Sequence, residues 1–167
     1  KDQIGDLGWL ATDAYLAHLR QACTDRGAVL IMDEVKTGFR VARGGVQALY
    51  GVYADLTTYA KAMGNGYPFA AFGGRADVMD VISATGGVVH GGTYTANLIG
   101  LSAARATLGI LAETDALETI DRTGEAIMDV LGHVFAYFDL EHHFAGPPSM
   151  FGVHLGDHVP QSYRDWK

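Results

Sequence analysis

One cysteine, four lysines and no long hydrophobic run mark what is scarce in this 167-residue sequence. The lone Cys23 cannot form an internal disulfide, which fits a reducing compartment. No apolar stretch reaches membrane-spanning length, and the opening "KDQIGDLGWL" does not read as a signal peptide, so the cytoplasm is the expected location. Positive charge is also short. Twelve Lys and Arg against nineteen Asp and Glu give a net charge of −7, which argues against nucleic acid or an anionic membrane as partner. A local pocket for a single phosphate remains compatible with that balance. The histidines His142, His143, His154 and His158 come without His-Glu-x-x-His or Cys/His spacing, so no metal site is expected and loop or surface positions are.

What is present is a globular composition, 49% hydrophobic and 19% charged, with 22 glycines. Thr12 reads as the N-cap of a helix over 13–25, with Gly27 just past its end. "AVLIMD" is apolar without alternation and reads as a fully buried strand. "KTGFRVARGG" is turn-rich and leads to a short helix near 47–50; "DLTTYA" and "FAAFGG" are the next strand candidates. A short helix over 76–82 precedes the glycine-rich "GGVVHGGTY". Two long helical runs follow, about 96–113 and 115–139, the second weakened by Gly124 and Gly132. Its stripe of Ile127, Leu131, Val134, Phe135 and Phe138 reads as core or interface packing. "SMFGVHL" after Gly146-Pro147-Pro148 is a further strand candidate. Helix and strand alternate through the first half, so the expected fold class is α/β with a mainly parallel sheet. The expected organisation is a main domain over 1–145 and the beginning of a second unit over 146–167, within a segment of a larger protein.

Two residues stand where such a fold places its chemistry. Asp33 ends the first apolar strand, and Lys61 ends the next one, 28 positions later. Adjacent parallel strands would bring both to one sheet edge, where open α/β sheets bind ligands. A plain ion pair is one account, and an acid capping the following turn is another. An Asp-Glu pair after an apolar strand also describes one motif of phosphate-loop ATPases, but Gly-x-x-x-x-Gly-Lys-Ser/Thr is missing. A third element is "HGGTYTAN" over 90–97, a glycine turn with hydroxyls opening a long helix, where backbone N–H groups, Thr93 or Thr95 would favour an anion, and which an N-cap explains as well. Carboxylate, amine and anion cradle together suggest a cofactor with a ring nitrogen, an aldehyde and a phosphate. Pyridoxal phosphate has all three.

"IMDEVKTGFRVARGGVQALYGV", "DLTTYAKAMGNGYPFAAFGGRADVM" and "VVHGGTYTANLIGLSAA" resemble class III aminotransferases, and 32–51 looks most like the glutamate-1-semialdehyde aminomutase branch. The resemblance is strong over about 27–111 and weaker at the flanks. It implies a fold-type I large domain, a mostly parallel sheet between helices, in which "FAAFGG" is an antiparallel strand. The region after 145 would then begin the small C-terminal domain. Lys61 matches the lysine that forms a Schiff base with the cofactor and shuttles the substrate α-proton. Asp33 matches the acid on the pyridine nitrogen, where an ionised partner keeps the ring protonated. Val35 matches the residue packed on one ring face. Gly92 and Thr93 match a phosphate-binding turn that reaches across a dimer interface. The main phosphate loop and the aromatic over the other ring face match nothing in this chain, and Ala96-Asn97-Leu98 stands where members often read Gly-Asn-Pro.

The resemblance therefore implies transfer of an amino group from an amine or amino acid to a carbonyl acceptor, in a homodimer with shared sites. Alternatives are an intramolecular aminomutase of the glutamate-1-semialdehyde type, an inactive fragment kept for dimer contacts, or a nucleotide-binding ATPase fragment. Glu34, Lys36 and Arg40 receive no role, and Arg75 is expected to cap or solvate the helix after it.

Overall fold

The computed structural model describes residues 12–82, 86–160 and Arg164. They form two compact units, divided between Thr114 and Asp115.

The first unit opens with α1 (Asp13–Asp25), whose N-cap Thr12 accepts the Tyr15 N–H at 3.2 Å, as its position before the apolar periodicity predicts. The left-handed Gly27 follows the helix end. β1 (Ile31–Asp33), β2 (Leu56–Tyr59) and β3 (Ala71–Gly74) make one sheet in the order β1-β2-β3. β1 and β2 run parallel, with Ile31 opposite Leu56 and Asp33 opposite Thr58. β3 returns antiparallel to β2. The short helix α2 (Gly45–Tyr50) lies in the β1–β2 crossover, α3 (Ala76–Met79) follows β3, and α4 (Leu98–Glu113) closes the unit. The core contains Leu16, Leu30, Val46, Ala104 and Leu111.

β1 departs from the fully buried strand its composition predicts. It is three residues long, and Ile31 is 59% exposed. Apolar composition records what a strand can bury; here β1 is a sheet edge in the described structure.

Asp55 ties the unit together from the mouth of β2. Its Oδ2 accepts the Leu30 N–H at 2.7 Å and pairs with Arg20 of α1 at 2.8 Å, while its Oδ1 pairs with Arg75 at 2.9 Å. The Leu30 N–H first, and then the two guanidinium groups, hold its carboxyl well below the ordinary 3.8. Arg75 is the N-cap residue of α3, as expected, although it makes no side-chain hydrogen bond to the helix backbone. It bridges Asp55 and Asp77, and those hydrogen bonds push its own pKa up.

The second unit begins with α5 (Ala116–Tyr137), which runs unbroken through Gly124 and Gly132. Gly124 is needed for packing: a Cβ there would overlap the carbonyl oxygen of Pro148. β4 (His142–Ala145) pairs antiparallel with β5 (Gly152–Leu155), His143 opposite His154. Gly146-Pro147-Pro148, expected at a domain boundary, therefore lies in the connection between two paired strands. The apolar stripe of α5 divides. Phe135 packs its ring 4.9 Å from that of His142, continuing to Phe144 and Phe151, whereas Ile127, Val134 and Phe138 are exposed. Among the described residues no group of His, Cys, Asp and Glu is arranged to hold a metal, and no helix is long and apolar enough to cross a membrane.

Candidate active site

The parallel register of β1 and β2 brings Asp33 and the approach to Lys61 to the same end of the sheet. Asp33 is exposed, and its Oδ1 accepts the Val35 N–H at 3.0 Å. This short loop-back fixes one oxygen, and among the described residues none donates to the other. Thr58, across the register, places Oγ1 at 3.5 Å from the same Oδ1.

Three residues beyond Thr58 the chain leaves the sheet through Lys61. Its φ of 47° lies in the left-handed region that a lysine rarely occupies. Lys61 opens a single 3₁₀ turn, Lys61–Gly64, and its carbonyl accepts the N–H of Asn65, itself left-handed, at 3.0 Å. The amine-bearing residue is thus exposed at a sharp strand-to-turn corner. α4 packs on this turn, and Gly100 permits the approach: a Cβ there would meet the Pro68 carbonyl oxygen at 2.9 Å.

Val35, Thr58 and Tyr59 border a cavity of about 610 Å³ with Phe72 and His90 among its other walls. The His90 ring stands edge-on to Phe72, centroids 5.2 Å apart. Tyr59 in turn packs on Phe39, at 5.3 Å. Gly92 and Thr93 border a different hollow, of about 590 Å³, with Tyr94 and Asn97. Ala70 and His90 touch both spaces, so the two adjoin, but the phosphate-turn candidates are not in the Val35 cavity of this chain.

At the helix opening after "HGGTYTAN" the structure shows the N-cap of the two accounts left open. α4 begins at Leu98, and its N-cap Asn97 accepts the N–H groups of Ile99 and Gly100 at 3.1 and 3.0 Å. Two first-turn N–H groups are therefore engaged by Asn97, and Thr93 lies four residues before Asn97, exposed in the preceding turn.

Sequence reasoning passed over Glu34, which is the most buried acid of the unit, at 0% exposure. It also passed over Thr58 and His90. Nothing in an Asp-Glu pair tells which of the two turns inward. Strand alternation requires that they face opposite ways.

A class III aminotransferase model matches residues 5–161. The chain belongs to the class III aminotransferase family. It is 40% identical over 154 residues to the glutamate-1-semialdehyde 2,1-aminomutase of Neisseria meningitidis serogroup C, covering 92% of this chain and 36% of that protein. Among solved structures, an omega-transaminase from Sphaerobacter thermophilus is similar at TM-score 0.81 and 34% identity, over 91% of this chain and 35% of its own. The FumI protein of Sphingopyxis sp. MTA144, in its PLP internal aldimine form, is similar at TM-score 0.81 and 32% identity, over 89% and 35%. The chain thus spans about a third of the length of the relatives it matches, and it has the α/β fold of the fold-type I aminotransferases.

By chemical type the residues present suit the ring half of pyridoxal phosphate: an exposed acid for a ring nitrogen, an exposed amine for an aldehyde and an apolar wall at Val35. Asp33 and Lys61 are not among the described walls of the cavity that Val35 borders. Gly92 and Thr93, the candidates for the phosphate half, border the separate hollow.

Proposed function

We propose that this chain is part of a pyridoxal-phosphate-dependent enzyme that moves an amino group between an amine or amino acid and a carbonyl acceptor. The observation that carries the reading is the shared sheet end: Asp33 ends β1, the corner holding Lys61 follows the end of the parallel strand β2, and Val35 borders a cavity at that end. When bound, the cofactor supplies an electron-accepting ring that spreads the negative charge left by loss of the substrate α-proton.

Asp33 keeps a negative charge at the ring nitrogen, and the Val35 N–H holds its other oxygen in place. Val35 packs against one ring face. The Lys61 amine holds the cofactor in the resting enzyme, and once freed it takes the α-proton and returns it. Gly92 and Thr93 serve the phosphate of a second copy, which makes the protein a homodimer with shared sites. The exposed apolar side chains of Tyr94, Leu98, Ile99 and Leu101 around that turn support an interface there. A cytoplasmic location belongs to the same proposal and agrees with the free thiol of Cys23.

A second reading has a specific support. The 40% identity to a glutamate-1-semialdehyde aminomutase favours a reaction in which both carbons belong to one substrate. The same residues serve both reactions. The nucleotide-binding ATPase alternative has no support beside the family assignment.

The test is reductive trapping. Borohydride treatment of the complete protein loaded with pyridoxal phosphate, followed by peptide mapping, is expected to place the adduct on Lys61. An adduct on Lys36, or on no lysine, overturns the reading. Supplying an amine and a keto acid, and separately a single amino-aldehyde substrate, then separates transfer from mutase chemistry.

A further inference from the structure

We infer that Glu34 is a positioning residue, which sets the direction of Asp33 and Val35 from the buried side of the sheet. The inference rests on the pyridoxal phosphate reading above.

Glu34 is immobilised at every polar group it has. Its N–H donates to the Thr58 carbonyl at 2.9 Å, and its own carbonyl accepts the Gly38 N–H at 2.9 Å. Its carboxylate accepts the Thr37 hydroxyl, the Val46 N–H at 3.1 Å and the Gln47 N–H at 2.9 Å. A buried carboxylate is costly to desolvate unless donors replace its water, and here three donors do. Gly45 leaves the space for it, since a Cβ at that position would overlap the carboxylate.

The network does not stop at Glu34. Gln47, whose backbone it holds, donates its side-chain amide to Thr57 Oγ1 at 2.9 Å and accepts the Ala54 N–H at 2.8 Å. Thr57 is buried and Thr58 is its neighbour on β2. One polar chain therefore holds both strands from behind, at Glu34 on the β1 side and at Thr57 on the β2 side. Asp33, the last residue of β1, projects to the face opposite Glu34, while Val35 begins the turn after it, with its N–H on Asp33 Oδ1 and the Gly38 N–H on the Glu34 carbonyl. Fixing Glu34 inward fixes Asp33 outward and anchors the turn that carries Val35. A merely structural acid would need only to be satisfied; this one is satisfied by groups that join the two strand ends carrying Asp33 and Thr58.

The experiment compares the complete protein with Glu34→Gln, Thr37→Val and Gln47→Leu, and with Asp33→Asn as reference. Each is loaded with pyridoxal phosphate and read for the pH midpoint of the visible cofactor band, cofactor affinity, turnover per bound cofactor and melting temperature without cofactor. A misplacement of about 1 Å in a reacting group can cost about a hundredfold in rate, so Glu34→Gln is expected to lose about ten- to a hundredfold in turnover. Its band midpoint should move in the same direction as that of Asp33→Asn. Thr37→Val and Gln47→Leu, which leave the acid in place, should move it less. Lower melting temperatures with band midpoint and turnover unchanged overturn the inference and leave Glu34 a structural acid. If Glu34→Gln does not fold, the other two variants decide: a displaced midpoint supports the inference, and wild-type midpoints overturn it. If the wild-type protein shows no visible band, the functional reading itself fails, and the inference with it.

Discussion

Thr58 Oγ1 lies 3.5 Å from Asp33 Oδ1, across a parallel register that sets the two residues opposite one another. The Val35 N–H reaches the same oxygen at 3.0 Å and is the stronger donor. This ordering separates two substitutions. Asp33→Asn removes the charge facing the ring nitrogen while keeping the side-chain volume. A hydrogen bond to a charged group is worth about 1.5–3 kcal/mol, so if the interaction is realised mainly in the transition state, turnover falls by about one to two orders of magnitude. Thr58→Val removes only the longer contact, so its turnover should stay within about threefold of wild type, as suits a net bond below about 0.5 kcal/mol. Steady-state rates of both variants check the order.

The left-handed backbone of Lys61 allows strain to be separated from chemistry. Lys61→Ala and Lys61→Gly both lack the amine, so neither should form the reducible adduct or turn over substrate. They differ in stability. Alanine retains the left-handed penalty of about 1 kcal/mol and glycine does not, so Lys61→Gly should melt above Lys61→Ala. Equal melting temperatures would mean that the corner relaxes when the lysine is lost.

Asp55 predicts an acid-sensitive fold. Its carboxyl is held below the ordinary 3.8 in the folded state, so its contribution to stability is present above that value and is lost as pH falls through the lower folded value. Asp55→Asn lacks that contribution at every pH. Urea midpoints should therefore differ by a constant amount between about pH 5 and 7 and converge below about pH 4. A gap that persists undiminished at low pH would show that the lost interaction is not electrostatic.

Two glycines of α5 should respond in opposite directions. At Gly132 an added Cβ meets His142 Nε2 at 3.6 Å, an ordinary contact. Gly132→Ala should therefore gain most of the helix-propensity difference of about 1 kcal/mol. At Gly124 the same methyl overlaps the Pro148 carbonyl, so Gly124→Ala must displace the 148–150 turn or the helix and lose more than it gains. Thermal unfolding of the two variants checks the sign of each.

The elements most legible in the sequence are those set by local chemistry. Thr12 and Gly27 bracket α1 because capping and left-handed backbone act over a few residues. The strand-end position of Asp33 follows from an apolar run that stops, and the family could be read from motifs in order; Lys61, expected to end the next strand, instead opens the 3₁₀ turn after β2 ends at Tyr59. What remained outside the sequence depends on which groups meet across distance. The sequence left an anion and an N-cap both open at the start of α4, and the fold sets Asn97 on the Ile99 and Gly100 N–H groups. Gly146 joins two paired strands, because only pairing reveals that β4 exists.

Glu34 marks the division between the two kinds of knowledge most clearly. By sequence it is an acid beside an acid, and composition cannot say which one turns inward. The register with Thr58 and the donors arriving from 37, 46 and 47 decide it, burying Glu34 and leaving Asp33 exposed. The sequence by itself determined the kinds of chemical group at the sheet end, since those are the residues themselves. The tertiary structure alone decided their directions, because a side chain's direction depends on partners that the chain brings together only when it folds.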